Sequence, residues 1–197
     1  MYKYCEAFST MLYYCQKEDG FMQSEHNLGF TDIAQYHCLR WAELPDLALY
    51  MDQVLTILEK QLCLIACGPE DKNLTSTMIN NYVKHKVIPA PIKKKYEKEH
   101  LANLTMVCIA KQVLSLSEIQ AMMEKLRAAE NIETLYDRFC CILEKKLRQT
   151  FGNQVMLEES KEEPPNMLEA LAGAFANKLY LQMLLMEQTT EKGKKAE

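Results

Sequence analysis

The sequence predicts a mainly α-helical fold, on three observations. Only 6 Gly and 6 Pro interrupt 197 residues, while Leu, Met, Glu and Lys are abundant. Apolar residues recur at helical spacing in several stretches. Several of those stretches open on a Ser, Thr or Asn cap, two of them followed by Glu at the third helical position. The length suits one domain, or one with an appendage. A composition that is 48% hydrophobic and 25% charged excludes wholesale disorder.

Five regions follow one another without an internal repeat. Residues Lys3–Lys17 read as a short helix stopped by Gly20, and Ser24–Gly29 reads as a loop. A strong helix is expected to follow Pro45, a good first helical residue, with Leu47, Met51, Val54, Leu58, Leu62 and Ile65 on one face. It stops near Cys67-Gly68-Pro69. A second helix starts at a Thr75 or Ser76 cap, turns Met78, Ile79, Tyr82 and Val83 inward, and ends before Pro89. Pro89-Ala90-Pro91 forces an extended path. The basic stretch Ile92–Tyr96 reads as a short strand or wing.

A third helix starts near Glu97–His100, with Leu101, Leu104 and Cys108 buried and Gln112 or Val113 extending that face. Ser115-Leu116-Ser117-Glu118 matches a capping box for a fourth helix that runs to about Ala129. A fifth begins near Asn131, turns Ile132, Leu135, Phe139 and Ile142 inward, and ends around Phe151-Gly152. The charged, Pro-ended stretch 158–165 reads as a linker. Asn166 and Glu169 cap a last helix with the stripe Leu168, Leu171, Phe175, Leu179, Met183 and Met186. The tail from Thr189 is polar and expected to fray.

The net charge of −4 conceals an asymmetry. Between Leu74 and Lys98 stand Lys84, Lys86, Lys93, Lys94, Lys95 and Lys98, against Glu97 alone. One basic segment on an otherwise acidic chain suggests a local anionic partner. No apolar run approaches a membrane span. The opening MYKYCEAFSTML turns polar without an h-region, so no signal peptide is expected. The 8 cysteines are therefore read as reduced thiols, which suggests the cytoplasm.

Leu74–Ile119 holds the most information. The helix TSTMINNYVKHK leads to the break VIPAP, the basic stretch IKKKY, the helix EKEHLANLTMVCIAKQVL and the turn SLSEI. This order resembles the winged helix-turn-helix of MerR-type regulators. There, a recognition helix with a Pro-Pro exit is followed by a basic wing, a Tyr and a helix with an acidic start. Lys86-Val87-Ile88-Pro89 stands at that exit, Tyr96 ends the wing, and Glu97–Leu101 opens the next helix. More closely, the string from Glu70 to Leu101, with LPDLALYMDQV upstream and KQVLSLSEI downstream, resembles the bacterial family called domain of unknown function 1836, over about Trp41–Ala129. The resemblance implies a compact MerR-like helical domain and, by analogy of fold alone, DNA binding. The chain would divide into an N-terminal helical extension (1–40), a MerR-like winged-helix domain (41–130) and C-terminal helices (131–197) that pack on the core or dimerise. It departs from the MerR pattern in three ways. Cys67–Asn73 replaces a tight turn, Asn80-Asn81-Tyr82 replaces an Arg before paired aromatics, and the wing is short.

The expected function is transcriptional regulation by a homodimer bound to duplex DNA. With Met78, Ile79, Tyr82 and Val83 inward, Ser76, Thr77, Asn80, Asn81 and Lys84 lie on or beside the outer face. Asn can pair bidentately with adenine, and Ser or Thr can reach a phosphate or a base edge. Lys84, Lys86, Lys93, Lys94 and Lys95 would neutralise phosphates. Two other readings are a protein-interaction module of the same fold without DNA binding and a sensor for an unnamed small-molecule effector.

No metal or other cofactor is expected. Cys63 and Cys67, four apart on a helix, would need ligands from elsewhere to hold zinc, and the neighbours Cys140 and Cys141 diverge by about 100°. His26, His37, His85 and His100 show no catalytic context, no Gly-rich phosphate loop is present, and the Glu pairs lie in the linker. An enzyme is not expected.

Overall fold

A computed structural model describes residues 30–65, 74–152 and 166–194, with side chains to residue 184. The expected helix at Lys3–Lys17, the loop at Ser24–Gly29, the linker at 158–165 and Cys67 lie outside the described residues. The helices are α1 (Phe30–Ala34), α2 (Met51–Leu62), α3 (Ser76–Lys84), α4 (Lys98–Lys111), α5 (Leu116–Ala129), α6 (Ile132–Phe151) and α7 (Met167–Lys194). Single 3-10 turns stand at Trp41–Glu43 and Cys63–Ile65.

Helix α4 is the axis of the fold. Every residue from His100 to Val107 is buried, as are Ile109 and Ala110. The sequence suggested one inward face; the helix is covered all round because α2, α5, α6 and α7 pack about it. Cys108 is only half-buried and Val113 is exposed, so the far end of the expected stripe is not core. The Lys178 ammonium of α7 donates to the Gln112 carbonyl at 2.7 Å, capping the C-terminal end of α4.

Helix α6 forms the second layer, against α7, α1 and α4. Leu135, Tyr136, Phe139, Cys140, Leu143, Leu147 and Phe151 make a continuous buried stripe at three- and four-residue steps. Asn131 caps it by accepting from the Thr134 N–H at 2.9 Å. The Ser115–Glu118 cap of α5 and the reciprocal Asn166–Glu169 cap of α7 both form as expected. Helical backbone continues to Lys194 instead of fraying at Thr189.

The helix expected after Pro45 starts six residues later, at Met51. Leu49 is committed elsewhere: it exchanges two backbone hydrogen bonds with Tyr96, both 2.8 Å. Its side chain is buried and that of Leu47 is exposed, as suits extended chain. Tyr50 then becomes the N-cap, its N–H bound by the Gln53 side chain at 2.9 Å. The wing expected at Ile92–Tyr96 forms no strand among the described residues. It is reduced to two isolated bridges, Leu49 with Tyr96 and Ile92 with Lys95.

The stretch before Trp41 joins the core through Ile33, Tyr36, Cys38 and Leu39. It is tied to α6 by charge. The His37 ring lies between the carboxylates of Glu43 (3.0 Å) and Glu144 (3.1 Å), one at each nitrogen. Only the imidazolium can donate to both. Glu144 also accepts from Arg40 (2.6 Å) and from the Cys38 N–H (2.9 Å). The bond to Glu144 raises the His37 pKa above its ordinary value, against the effect of burial. Burial alone would raise Glu144, but the bonds from His37, Arg40 and Cys38 hold it below the usual carboxylate range. His37 thus binds its proton more tightly when folded. Its contribution is complete below the ordinary histidine value, near pH 6.5, and is lost as pH rises through the raised folded value. Wild-type protein should lose stability over that window, and His37→Gln should lose none of it; urea midpoints across pH 5 to 9 test this.

Candidate nucleic-acid interface

Helix α3 presents the expected readers to solvent. Thr75, not Ser76, is its cap: Thr75 Oγ1 accepts from the Met78 N–H at 3.3 Å. Ile79 and Tyr82 are buried and Val83 half-buried, whereas Met78 is exposed. That anchor turns Ser76, Thr77, Asn80, Asn81 and Lys84 outward, all five exposed.

The exit from α3 is fixed by the backbone. Val87 N–H donates to the Tyr82 carbonyl and Lys86 N–H to the Val83 carbonyl, both at 2.9 Å. This is a Schellman closure, with Lys86 as the left-handed residue at φ 56°. Val87 and Ile88 then enter the core, leaving the Lys86 side chain outside.

Two clamps hold the chain between α3 and the basic turn. Arg127 of α5 donates to the Val87 carbonyl at 2.7 Å and, through Nε and Nη2, to Asn103 Oδ1 at 3.1 and 2.6 Å. Asn103 is fully buried in α4, and its amide donates to the Glu99 carbonyl at 2.8 Å. Farther along, His100 Nδ1 accepts from the Glu97 N–H at 3.0 Å, which leaves Nε2 to donate to the Ala90 carbonyl at 3.2 Å. Both ends of the Val87–Ala90 connection are therefore held by α4 and α5.

The basic turn is a two-residue hairpin. Ile92 and Lys95 exchange backbone hydrogen bonds of 3.0 and 2.9 Å. Lys93 and Lys94 occupy its centre at φ 50° and 65°, the left-handed pair that a type I′ turn requires. Both side chains are exposed. Lys95 is half-covered because its ammonium lies over the Tyr50 ring, 5.1 Å from the centroid. Lys98 lies likewise over Trp41, at 5.3 Å. None of the basic residues between Lys84 and Lys98 forms an ion pair among the described residues. All nine expected DNA-contacting residues thus reach the surface, on two elements joined by a clamped connection.

A family model described as a domain of unknown function, DUF1836, matches residues 39–139. The chain belongs to the DUF1836 family. No curated protein and no solved structure matches it. The DUF1836 span runs from before Trp41 into α6 and contains all nine candidate residues, both clamps and the aromatic rings under Lys95 and Lys98. Helix α7 lies outside it.

Sequence reasoning missed Arg127, Asn103, His100, Tyr50 and Trp41. A polar Asn inside the apolar run LANLTMVCIA was the one local sign. Arg127, Tyr50 and Trp41 gain their roles from partners distant in the chain, and His100 from its own helix cap and a carbonyl ten residues back. Among the described residues, no group of His, Cys, Asp and Glu could hold a metal ion, and no helix is long and apolar enough to cross a membrane.

Proposed function

We propose that this DUF1836 protein binds duplex DNA as a homodimer and regulates transcription, with α3 as the recognition helix and the Ile92–Lys95 turn as a minimal wing of MerR type. The observation that carries this reading is the coincidence of basic charge with a built surface. Ser76, Thr77, Asn80, Asn81 and Lys84 share the exposed side of a helix anchored by Ile79 and Tyr82. Lys86, Lys93 and Lys94 stand outward on backbone fixed by hydrogen bonds. Phosphate contacts by the lysines would position the protein, and base-edge contacts by Asn80 and Asn81 would select sequence.

Fluorescence anisotropy tests this on labelled duplex from upstream of the protein's own gene, against a scrambled duplex, at low and physiological salt. Tighter binding to the native duplex is expected to persist at physiological salt. Five lysine–phosphate contacts predict a log–log salt slope of about −4.5, and replacing Lys93, Lys94 and Lys95 by Ala should flatten it by about 2.7. Asn80→Ala or Asn81→Ala should instead change the preference between sequences by ~1–3 kcal/mol. Equal loss on every duplex would argue against base reading, and no binding at low salt would remove the DNA reading. A second reading draws support from the exposed Leu47, Tyr50 and Ile92 near the lysines, at 59%, 55% and 56% exposure. These would suit a protein partner with an acidic, partly apolar surface, whose capture would survive nuclease.

A further inference from the structure

Two thiols meet in the core, away from the candidate interface. Cys38 lies in the extended stretch after α1 and Cys140 lies in α6, 102 residues apart in the chain. Neither is exposed to solvent, and both are free. The Cys140 thiol donates to Cys38 Sγ at 3.0 Å. Closing that separation to the S–S bond of about 2 Å takes a shift of about 1 Å. Cys141, the next residue, is exposed and takes no part.

The surroundings of the pair are polar and asymmetric. Gln61 Nε2 donates to Cys38 Sγ at 3.5 Å and to the Tyr136 hydroxyl at 3.1 Å. The Tyr36 hydroxyl donates to the Gln61 carbonyl at 3.1 Å. The Cys140 and Gln61 donors thus converge on one sulfur. The Cys140 donor, with help from Gln61 and Tyr136, holds the Cys38 thiol below its ordinary value in spite of burial. Burial pushes Cys140 far up. With both donors aimed at it, Cys38 is the sulfur of the pair whose thiolate is favoured, and a thiolate is the nucleophilic form. Its backbone is a strap, not part of a helix. The strap is held on α6 by bonds from the Cys38 N–H to Glu144 (2.9 Å) and from the Trp41 N–H to Asp137 (2.6 Å), both part-buried. Together with the His37 and Arg40 pairs to Glu144, these bonds are what local opening of the strap would have to break to bare Cys38.

We propose that Cys38 and Cys140 form an oxidation site that closes to an intramolecular disulfide when the protein meets a hydroperoxide. The Cys38 thiolate attacks the peroxide's terminal oxygen. The O–O bond breaks, the alcohol (or water, from hydrogen peroxide) leaves with a proton, and Cys38 becomes a sulfenic acid. The Cys140 sulfur then attacks the Cys38 sulfur, the S–S bond forms, and the hydroxyl leaves as water with the Cys140 proton. Two thiols and one hydroperoxide give one disulfide, one alcohol and one water; two electrons pass from sulfur to the peroxide. The bond pins the strap to α6 and restricts the unfolded chain. The site is independent of DNA binding.

The test treats the folded full chain with hydrogen peroxide, alkylates the remaining thiols under denaturing conditions, and maps the cysteines by mass spectrometry. The expected result is a peptide linking Cys38 to Cys140, faster migration on a non-reducing gel, and a higher melting temperature that dithiothreitol reverses. Cys140→Ser should abolish all three changes. Should that variant fail to fold, the map of the wild-type protein decides alone. Cys38 and Cys140 recovered as alkylated thiols while Cys63 or Cys141 is oxidised would overturn the proposal. A Cys38–Cys140 link that appears only when denaturant accompanies the peroxide would do the same.

Discussion

Arg127→Met is expected to lower the unfolding free energy by about 2–4 kcal/mol. Methionine preserves much of the volume and removes all three donated bonds. The fully buried Asn103 oxygen and the Val87 carbonyl then lose their partner. Burial lowers the Arg127 pKa somewhat, yet a guanidinium stays charged in proteins, so the wild-type bonds are charge-assisted. The chemical denaturation midpoint should fall with an unchanged slope. A double variant that adds Asn103→Leu should recover part of the loss, because the Asn103 oxygen is then gone and only the Val87 carbonyl is left without its partner. A drop below about 0.5 kcal/mol would mean that water replaces the guanidinium, and the clamp would be dispensable. Under the DNA reading, Arg127→Met should also weaken binding without touching a nucleotide, since it frees the chain between α3 and the basic turn.

A larger loss, about 3–5 kcal/mol, is expected for Phe139→Ala. Phe139 has no solvent exposure and sits mid-stripe on α6, the helix that packs against α1, α4 and α7. Close packing on several sides leaves little room for collapse into the cavity, so both the transfer and the cavity contributions should appear. Thermal unfolding tests this. A loss nearer 1 kcal/mol would show that α6 moves inward, and that this layer is softer than its burial suggests.

Local chemistry explains which parts of the fold were legible in the sequence. The α5, α6 and α7 starts were readable because Ser115, Asn131 and Asn166 act on neighbours within three residues. The outward set on α3 was readable because Ile79 and Tyr82 fix the phase of a nine-residue helix. Pro45 misled because Leu49 pairs with Tyr96, a partner 47 positions away that no local pattern reveals. On α4, burial by four helices erases the amphipathic period. His100 carried no sign of its role, since its partners are a backbone carbonyl ten residues back and an N–H on its own cap. The turn at Lys93-Lys94 lacks the Asn-Gly pair that marks such hairpins, so its tightness could not be read from its residues.

That last feature has a physical cost. Lys86, Lys93 and Lys94 all occupy left-handed backbone, where glycine is at ease and lysine is strained by about 1 kcal/mol each. Lys86→Gly should therefore stabilise the protein by up to about 1 kcal/mol, offset by the greater freedom of glycine in the unfolded chain. Three uncomfortable residues in a span of nine are all cations. The fold gives up ease of bending there and gains positive charge at the points where the chain turns most sharply toward solvent. Engineering for thermal robustness would select glycine or asparagine at these corners. It would thereby erase half of the six-lysine cluster that distinguishes this surface from the acidic remainder.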